Sequence, residues 1–304
     1  SVQADALLEA NISQNTITGN GANGIRTTEQ VNDPTDQRAV SGNWTQNVIT
    51  GNTLSGINLD ANSDNLVIGS AADSAQANLI ASNGDDGLSL TGTAGGAGLT
   101  IGYNSIRQNV GSGIDMDVRP VNTTSIVNND ITLNGGDGIE FTNSGASGTY
   151  NLTVTGNTID FNNGRGFDVL ARPGSAGASS YNITFNNNVV NANLEEGVYV
   201  VYTASNNQTQ SVPSTTALLA DGNIFHDVFL RFDMDDNQIL ANGFNSGFNA
   251  TGLVVRVGTT NASTSTTNAG GFASDGLGNF TNSGVIMSVT NSTLTGNFGS
   301  DAFF

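Results

Sequence analysis

Short blocks of alternating apolar and polar residues recur along this chain, and one phrase unites them. The phrase is Asn-x-Ile-x-x-Asn-x-x-x-Gly-Ile. Up to Asn188, successive copies lie roughly 25 to 32 residues apart, a spacing that indicates stacked structural repeats. The repeat therefore predicts one elongated body. Its first Asn stands at Asn15, Asn47, Asn78, Asn104, Asn129, Asn157 and Asn188, with a distorted copy at Asn237.

Each copy contains three short segments with strand-like patterning. Before Asn157, Leu152 and Val154 alternate with polar residues, which is typical of a half-buried strand. Ile159 belongs to a second short strand, and Phe167 opens a third. One repeat is therefore predicted to be one turn of a three-faced coil.

Asn and Gly residues separate the three segments. Because both residue types tolerate left-handed backbone angles, Asn157, Asn162 and Gly166 predict tight bends between strands. In stacked coils the aligned Asn residues form ladders, in which each side-chain amide bonds to its neighbour above or below. Such ladders satisfy polar groups that burial would otherwise penalise by ~1–3 kcal/mol each.

Three positions of the phrase hold a large apolar residue in almost every copy, as expected if they point inward and stack on one another. The columns are Ile12, Trp44, Ile101, Ile126, Val154, Phe185 and Met234 before the Asn; Ile17, Ile49, Ile80, Ile106, Ile131, Ile159, Val190 and Ile239 after it; and Ile25, Ile57, Leu88, Ile114, Ile139, Phe167 and Val198 after the Gly.

This pattern resembles the right-handed parallel β-helix superfamily, the pectate-lyase-like solenoids, from about Ile12 to Asn297. The resemblance implies an all-β fold: a right-handed, three-faced parallel β-helix of about eight to nine coils with long loop insertions. We predict a single domain over residues 1–304. The segment from Asn65 to Asn83 is also similar to tandem repeats of large bacterial surface proteins. A loop-rich β-sandwich is the alternative, but it does not account for the period.

The pattern breaks at three polar stretches and at both ends. Residues 27–41, 203–220 and 258–284 are predicted loop insertions. The segment Ala4 to Ala10 suits either a capping helix or a first strand, and Ser292 replaces the key Asn in an unfinished last copy. Because uncapped coil ends expose strand edges, head-to-tail stacking of copies into a filament follows as a hypothesis.

The composition excludes several partners. The chain has 26 Asp and Glu against 8 basic residues, all Arg, for a net charge of −18. It offers no basic face for nucleic acid or for an anionic membrane surface. It has no Cys, and no apolar run approaches the roughly 20 residues that cross a bilayer. Ser1 is not an initiator Met, so we expect a processed mature protein or a piece of a longer one.

The first candidate site is a row of acids on successive coils. Asp115, Glu140 and Asp168 follow the apolar residue after the Gly and should face outward, with Asp117 beside them. Because like charges on adjacent strands destabilise a sheet, something must compensate them. Ca²⁺ is the cation suited to carboxylate oxygens, and no other cofactor is expected. The alternatives are solvent screening or pairing with Arg107, Arg119 or Arg165.

The second candidate site is the strand that contains Asp233 and Asp235, followed by Asp236 and preceded by the only His, His226. Paired carboxylates on a β-helix face resemble the acid and base of polysaccharide hydrolases of this superfamily. The Gly-His-Gly and Arg-x-Lys elements of those enzymes are missing, and the chain has no Lys. A solvated polar strand face is the simpler interpretation of Arg231, Asp233 and Asp235.

The sequence favours a non-catalytic interpretation because the repeat is regular and the candidate chemistry is sparse. We predict an extracellular structural or adhesive β-helix whose copies stack head to tail into a surface filament. The alternative is a carbohydrate-active enzyme, either hydrolase or lyase, or a carbohydrate-binding β-helix. A phage tailspike-like fibre belongs to the same alternative.

Overall fold

Parallel strands stacked in coils account for nearly all secondary structure in the computed structural model. It describes residues 7–28, 39–60, 62–91, 98–117, 123–142, 148–171, 179–204, 229–243, 252–259, 272–274, 280–282, 284–297 and 302–303. Each coil supplies one strand to each of three faces, named sheets 1, 2 and 3 in the order in which the chain reaches them.

Sheet 1 lies just before the first Asn of the phrase and has ten strands. In the first coil this face is broken into Leu7–Glu9 and Ile12–Ser13, which both pair with Ala39–Thr45. The following strands are Asn62–Gly69, Gly98–Gly102, Thr123–Val127, Gly148–Thr155, Ser179–Asn186, Phe229–Asp235 and Gly284–Thr290.

Sheets 2 and 3 have nine strands each, so the described residues form nine coils, in keeping with the predicted number. Sheet 2 consists of Thr16–Thr18, Val48–Thr50, Leu79–Ala81, Ser105–Arg107, Asp130–Thr132, Thr158–Asp160, Val189–Asn191, Gln238–Leu240 and Thr293–Thr295. Sheet 3 consists of Ile25–Thr28, Ile57–Asp60, Leu88–Leu90, Ile114–Asp117, Ile139–Thr142, Phe167–Ala171, Val198–Ala204, Leu253–Thr259 and Ala302–Phe303.

The three predicted apolar columns fill the core. In the middle coils their side chains are almost fully buried, including Ile106, Ile114 and Ile126. The core becomes aromatic further along the chain, where Phe167 and Phe185 stack with ring centroids 4.9 Å apart. The partly buried apolar residues that pack against this core lie in the end coils; these are Ile12, Ile17, Ile25, Met287 and Leu294.

Two Asn ladders run along the coils. In each, the backbone N–H and side-chain amide of one Asn donate to Oδ1 of the Asn in the next coil, as for Asn104 and Asn129 at 2.9 and 3.1 Å. The copy at Asn237 looks distorted in sequence but continues the ladder, accepting from Asn188 at 3.0 and 3.2 Å. The first ladder is Asn15, Asn47, Asn78, Asn104, Asn129, Asn157, Asn188 and Asn237, ending on Ser292; the second is Asn20, Asn52, Asn83, Asn109, Asn134, Asn162, Asn193, Asn242 and Asn297.

The left-handed residues of the bends are not the ladder Asn residues, which corrects the prediction for Asn157 and Asn162. The positive φ falls one position earlier, at Gly156 and Phe161, with φ of 70° and 56°. The Asn itself must aim both its N–H and its side chain along the stack, so its predecessor makes the turn.

The sequence predicted a left-handed bend at Gly166, the Gly just before sheet 3, but its φ is not left-handed. The reason for a Gly at this position is therefore a different one. A side chain would collide with the next coil at this position. At Gly24, for example, a Cβ would lie 2.6 Å from the Gly56 carbonyl oxygen and 2.7 Å from the Asn52 side chain. We call this set the glycine column: Gly24, Gly56, Gly87, Gly113, Gly138, Gly166 and Gly197.

The insertions interrupt this frame at coil edges. Thr27 and Thr28 belong to sheet 3, and the rest of the predicted 27–41 insertion up to residue 38 lies outside the described residues. Most of 203–220 does so as well. Within 258–284, Phe272–Ser274 and Phe280–Asn282 form an antiparallel pair. A further loop before Asn78 carries the 3₁₀ turn Ser74–Gln76. The described part of Ala4 to Ala10 contains the strand Leu7–Glu9 and no helix.

Candidate functional site

The outer face of sheet 3 carries the acids that the sequence singled out. Asp115 pairs in register with Glu140, and Glu140 with Asp168, on three adjacent strands. We call these three residues the acid row. Their side chains alternate with buried core residues, so they face outward, although Asp168 is largely buried. Asp117 lies on the same outward side of its strand as Asp115.

Burial and mutual repulsion perturb the acid row. Burial raises the pKa of Asp115 to about 7, and the neighbouring carboxylates Asp86, Glu140 and Asp117 push it in the same direction. Burial also raises the pKa of Asp168, against the opposing effect of Arg165. One carboxylate oxygen of Asp117 and one of Asp168 are buried without a hydrogen-bond partner. Protonation near neutral pH is therefore part of the chemistry of this face.

A third polar ladder, which the sequence reading missed, lies beside the acid row. It is formed by the residues just before the glycine column, which we call the pre-glycine column. Asp86 Oδ1 accepts from the Ser112 N–H at 2.8 Å, and Asp137 Oδ1 accepts from the Arg165 N–H at 2.5 Å. Burial raises the pKa of Asp86 to about 6 and that of Asp137 to about 7. The sequence signal that could have revealed this ladder is the polar residue directly before each Gly of the column.

Arg165 joins the pre-glycine column to the acid row. Its guanidinium pairs with Asp168 at 2.8 Å and with Glu196 of the next coil at 2.9 Å. It also lies 4.0 Å from the centroid of the Tyr199 ring, a cation–π contact. Of the predicted counter-ions, Arg165 therefore neutralises one end of the acid row.

Of the other two predicted counter-ions, the structure describes only Arg107. Arg107 is exposed on sheet 2, a different face, because its position follows the key Asn instead of the Gly. Arg119 lies outside the described residues. No group of three or more described His, Cys, Asp or Glu side chains is arranged to hold a metal ion. Calcium at Asp115, Asp117, Glu140 and Asp168 stays a prediction.

A cleft of about 300 Å³ opens on the same face, in the first three coils. Arg26 and Asp60 form a solvent-exposed ion pair at 3.7 Å beside it. Hydrogen-bonding groups dominate its walls, and Leu54 adds one exposed apolar side chain. The lining residues are Asn23, Arg26, Leu54, Ser55, Asn58, Asp60, Asp85, Ser89 and Thr91.

The second candidate site lies on sheet 1. As predicted, Phe232 and Met234 are buried and turn Asp233 and Asp235 outward. Arg231 binds Asp233 at 2.7 Å. Thr290 and Asn291 donate to Asp235 at 2.6 and 2.9 Å, and these hydrogen bonds lower its pKa.

The described carboxylates of this second site have different local roles. Asp236 occupies the left-handed position before Asn237, with a φ of 53°. His226 lies outside the described residues. A carboxyl of lowered pKa is a poor proton donor at neutral pH, so Asp235 is suited to act as a base or an acceptor. The carboxyls of raised pKa lie on other faces, including Asp115 on sheet 3.

Comparison with known proteins bears on the fold. The family described as right handed beta helix region matches residues 3–147. Together with the three parallel sheets, this match settles the architecture. The chain is a right-handed parallel β-helix. No curated protein matches the sequence.

One solved structure is similar to the β-helix. It is the crystal structure of pectate lyase Pel9A, with 12% sequence identity and a TM-score of 0.39. The alignment covers 88% of this chain and 74% of the lyase. The activity of the lyase is not carried over to this β-helix at that distance. Within the described residues, no helix has the length and apolar character of a membrane span.

Proposed function

We propose that this β-helix is an extracellular structural or adhesive protein whose copies associate head to tail. The observation that carries the proposal is the direction of the Asn ladders. Each ladder Asn accepts from the coil before it, as Asn47 Oδ1 accepts from Asn15, so the stack has a donor side and an acceptor side. A ladder with direction can be continued only by another coil in the same orientation.

The two end coils present matching groups. The first coil carries Asn15 and Asn20, and the described residues include no ladder Asn before them. The last coil carries Ser292 and Asn297 in the same two columns, also five residues apart. The end members of the apolar columns are partly exposed, so a second copy stacked in register would bury them and extend the sheets.

Such a contact is heterologous, since the surface at one end meets a different surface at the other. Heterologous contacts with little rotation produce open filaments instead of closed rings. The net charge of −18 opposes close approach of copies, so association should strengthen as salt screens the charge.

Electron microscopy and sedimentation of the purified chain test the proposal. Wild type should form species larger than the 31.1 kDa monomer, growing with concentration and salt. Ile17→Arg places a charge in the end coil and should abolish them. Asn163→Arg, at an exposed lateral site, is the matched control and should leave them unchanged. Circular dichroism confirms that each variant folds; folded wild type that stays monomeric and without fibres at high concentration would refute the proposal.

The second candidate function is carbohydrate binding or processing, favoured by the polar cleft on sheet 3. Amide, hydroxyl and carboxylate groups in one groove suit the hydroxyl groups of a sugar, and the acid row next to it offers proton donors. Polyanionic substrates would be repelled without a bound cation. A reducing-sugar assay over neutral and acidic polysaccharides, comparing wild type with Asp115→Asn and Asp235→Ala, tests catalysis; equal activity in all three would exclude both carboxyls.

A further inference from the structure

We propose that Asn20 is a site of spontaneous covalent modification, at which the side-chain amide is lost through a succinimide ring. Asn20 precedes Gly21, and a Gly in that position favours ring closure because it is conformationally free and places no side chain in the way. Five other Asn-Gly pairs occur in the chain, and hydrogen bonds of the coil stack shield each of them. They begin at Asn23, Asn83, Asn134, Asn163 and Asn242.

The reaction needs no reactant other than water. The backbone nitrogen of Gly21 attacks Cγ of Asn20, so a new C–N bond forms as the bond from Cγ to Nδ2 breaks. Nδ2 leaves as ammonia, with the proton that the Gly21 nitrogen gives up. Water then opens the ring at either carbonyl and leaves an aspartate or an isoaspartate in place of Asn20. Nothing is oxidised or reduced, and either product carries one negative charge that Asn20 lacks.

The first requirement is an unbound backbone nitrogen after the Asn. In the later coils, the residue after each Asn of the second ladder donates its N–H to the ladder carbonyl of the coil before, as Gly84 does to Asn52 at 2.8 Å. Gly135 and Gly243 donate in the same way at 2.8 and 2.9 Å. Gly21 is exposed, and no described residue accepts a hydrogen bond from its N–H.

The second requirement is a side chain that can turn toward that nitrogen. Four hydrogen bonds hold the side chain of Asn134: its amide donates to two acceptors, and its Oδ1 accepts from the backbone and the side chain of the preceding ladder Asn. Asn83 and Asn242 are held in the same way. The exposed side chain of Asn20 makes one hydrogen bond within the described residues, to Oδ1 of Asn52 at 2.8 Å.

The two remaining Asn-Gly pairs lack an unbound nitrogen. Asn163 is exposed, but the N–H of Gly164 donates to a carbonyl of the preceding coil at 2.8 Å. Ser55 binds both groups of the other pair: its N–H donates to Oδ1 of Asn23 at 3.0 Å, and its carbonyl accepts from Gly24 at 3.1 Å. Asn20 is therefore the pair that combines a loosely held side chain with an exposed Gly nitrogen.

The consequence for association rests on the proposed head-to-tail contact. In that contact Gly21 would donate to the Asn297 carbonyl of the preceding copy, just as Gly84 donates to Asn52 within the stack. A docked copy therefore shields Asn20. Modification of an undocked copy removes the side-chain donor to Asn52 and adds negative charge to a chain of net charge −18. Isoaspartate also lengthens the main chain of the bend by one carbon, so modified copies should associate less.

Peptide mapping by mass spectrometry tests the modification on the monomeric fraction of the full chain. Incubation in heavy-oxygen water at mildly alkaline pH labels each amide that is hydrolysed. Label should enter Asn20 at least about fivefold faster than Asn163, because the N–H of Gly164 must first break its hydrogen bond. The buried ladder pairs at Asn83, Asn134 and Asn242 should stay unlabelled while the fold is intact.

Two controls separate the effect of the fold from that of the local sequence. Gly21→Ala adds a Cβ with nothing within 4 Å, so it should slow labelling at Asn20 and leave the fold unchanged. In denaturant, all six pairs should react at similar rates. Label in folded Asn163 or Asn134 as early as in Asn20, or no label at Asn20 in the folded monomer, would overturn the proposal.

Sedimentation tests the consequence separately. Asn20→Asp should raise the concentration needed for assembly several-fold, whereas Asn163→Asp adds the same charge at an exposed lateral site and should change it little. Equal assembly of both variants would refute the effect of the modification on association. A wild type that never assembles would refute the head-to-tail contact, while the labelling at Asn20 still decides the modification.

Discussion

The backbone N–H and the side-chain amide of Asn129 both donate to Oδ1 of Asn157, at 2.9 and 3.0 Å. The same side chain donates to the Ile101 carbonyl in the preceding coil, at 2.9 Å. One buried Asn therefore ties together three coils. The strength of this arrangement lies in the cost of leaving any of these buried groups without a partner.

Removing one ladder side chain should therefore destabilise the fold well beyond a surface change. We expect Asn129→Ala to lower the free energy of unfolding by about 2 kcal/mol or more, because the N–H and amide of Asn104 lose their acceptor. Denaturant titration measures it. Asn163→Ala, at an exposed Asn, is the control and should change the free energy by less than about 0.5 kcal/mol. Equal effects of the two substitutions would contradict the role of the ladder.

Adding even one methyl group to a residue of the glycine column should lower the stability of the fold. In Gly113→Ala the new Cβ would meet the Gly138 carbonyl oxygen at 2.7 Å and the Asn134 side chain at 2.9 Å. We expect a loss of about 3 kcal/mol of stability from this overpacking. Gly21→Ala tests the same substitution where nothing lies within 4 Å. Thermal melting compares them, and a tolerated Gly113→Ala would show that the coils separate more easily than the contacts indicate.

Two bulky residues hold left-handed backbone conformations at exposed bends. Leu133 and Phe161 have φ of 60° and 56° and are more than half exposed. A left-handed conformation costs a non-Gly residue about 1–2 kcal/mol, so Leu133→Gly should raise stability by up to about 1 kcal/mol.

The control for that prediction is Val110→Gly. Val110 is also an exposed apolar bend residue, but it has no left-handed φ. This substitution should bring no gain in the free energy of unfolding, which chemical denaturation measures for both variants. If Leu133→Gly lowers stability as much as Val110→Gly does, the left-handed backbone conformation of Leu133 is not strained.

The engagement of Arg165 should make it more important than the other described Arg residues. Arg165→Gln removes the pairs with Asp168 and Glu196, and we expect a loss of about 2 kcal/mol or more. Arg165 lowers the pKa of Asp168, so that pKa should rise further in the variant and the loss should be larger at pH 8 than at pH 5. Arg26→Gln breaks an exposed pair at 3.7 Å and should cost less than about 1 kcal/mol. A pH-independent loss in Arg165→Gln would separate its role from the acid row.

Calcium binding at Asp115, Asp117, Glu140 and Asp168 predicts a Tm that rises with added Ca²⁺ and falls with chelator. The reason is that a cation bound to the folded state alone stabilises it by mass action. Mg²⁺ at the same concentration controls for screening. A Tm that does not change with chelator at any concentration would rule out the calcium hypothesis and leave solvent screening and pairing with Arg165 as the compensation.

The repeat by itself was enough to predict the three-faced β-helix, the inward columns and the Asn ladders. Each of these depends on local patterning repeated many times. A single irregular copy, such as the one at Asn237, does not disturb the prediction because its neighbours impose the same register. Even the pairing of Asp115 with Glu140 follows from their equal offset from the Gly.

Other features depend on contacts between coils and became visible only in the tertiary structure. The sequence predicted left-handed Asn and Gly residues, but the stack assigns the left-handed conformation to Phe161 and uses Gly166 for clearance. The sequence also did not reveal the contacts of Arg165 with Asp137 and Glu196. These residues lie about 30 positions apart, and only the stacking of coils at about 4.8 Å brings them within hydrogen-bond distance. Sequence periodicity determined which residues are equivalent, whereas the close approach of the coils decided which of them interact.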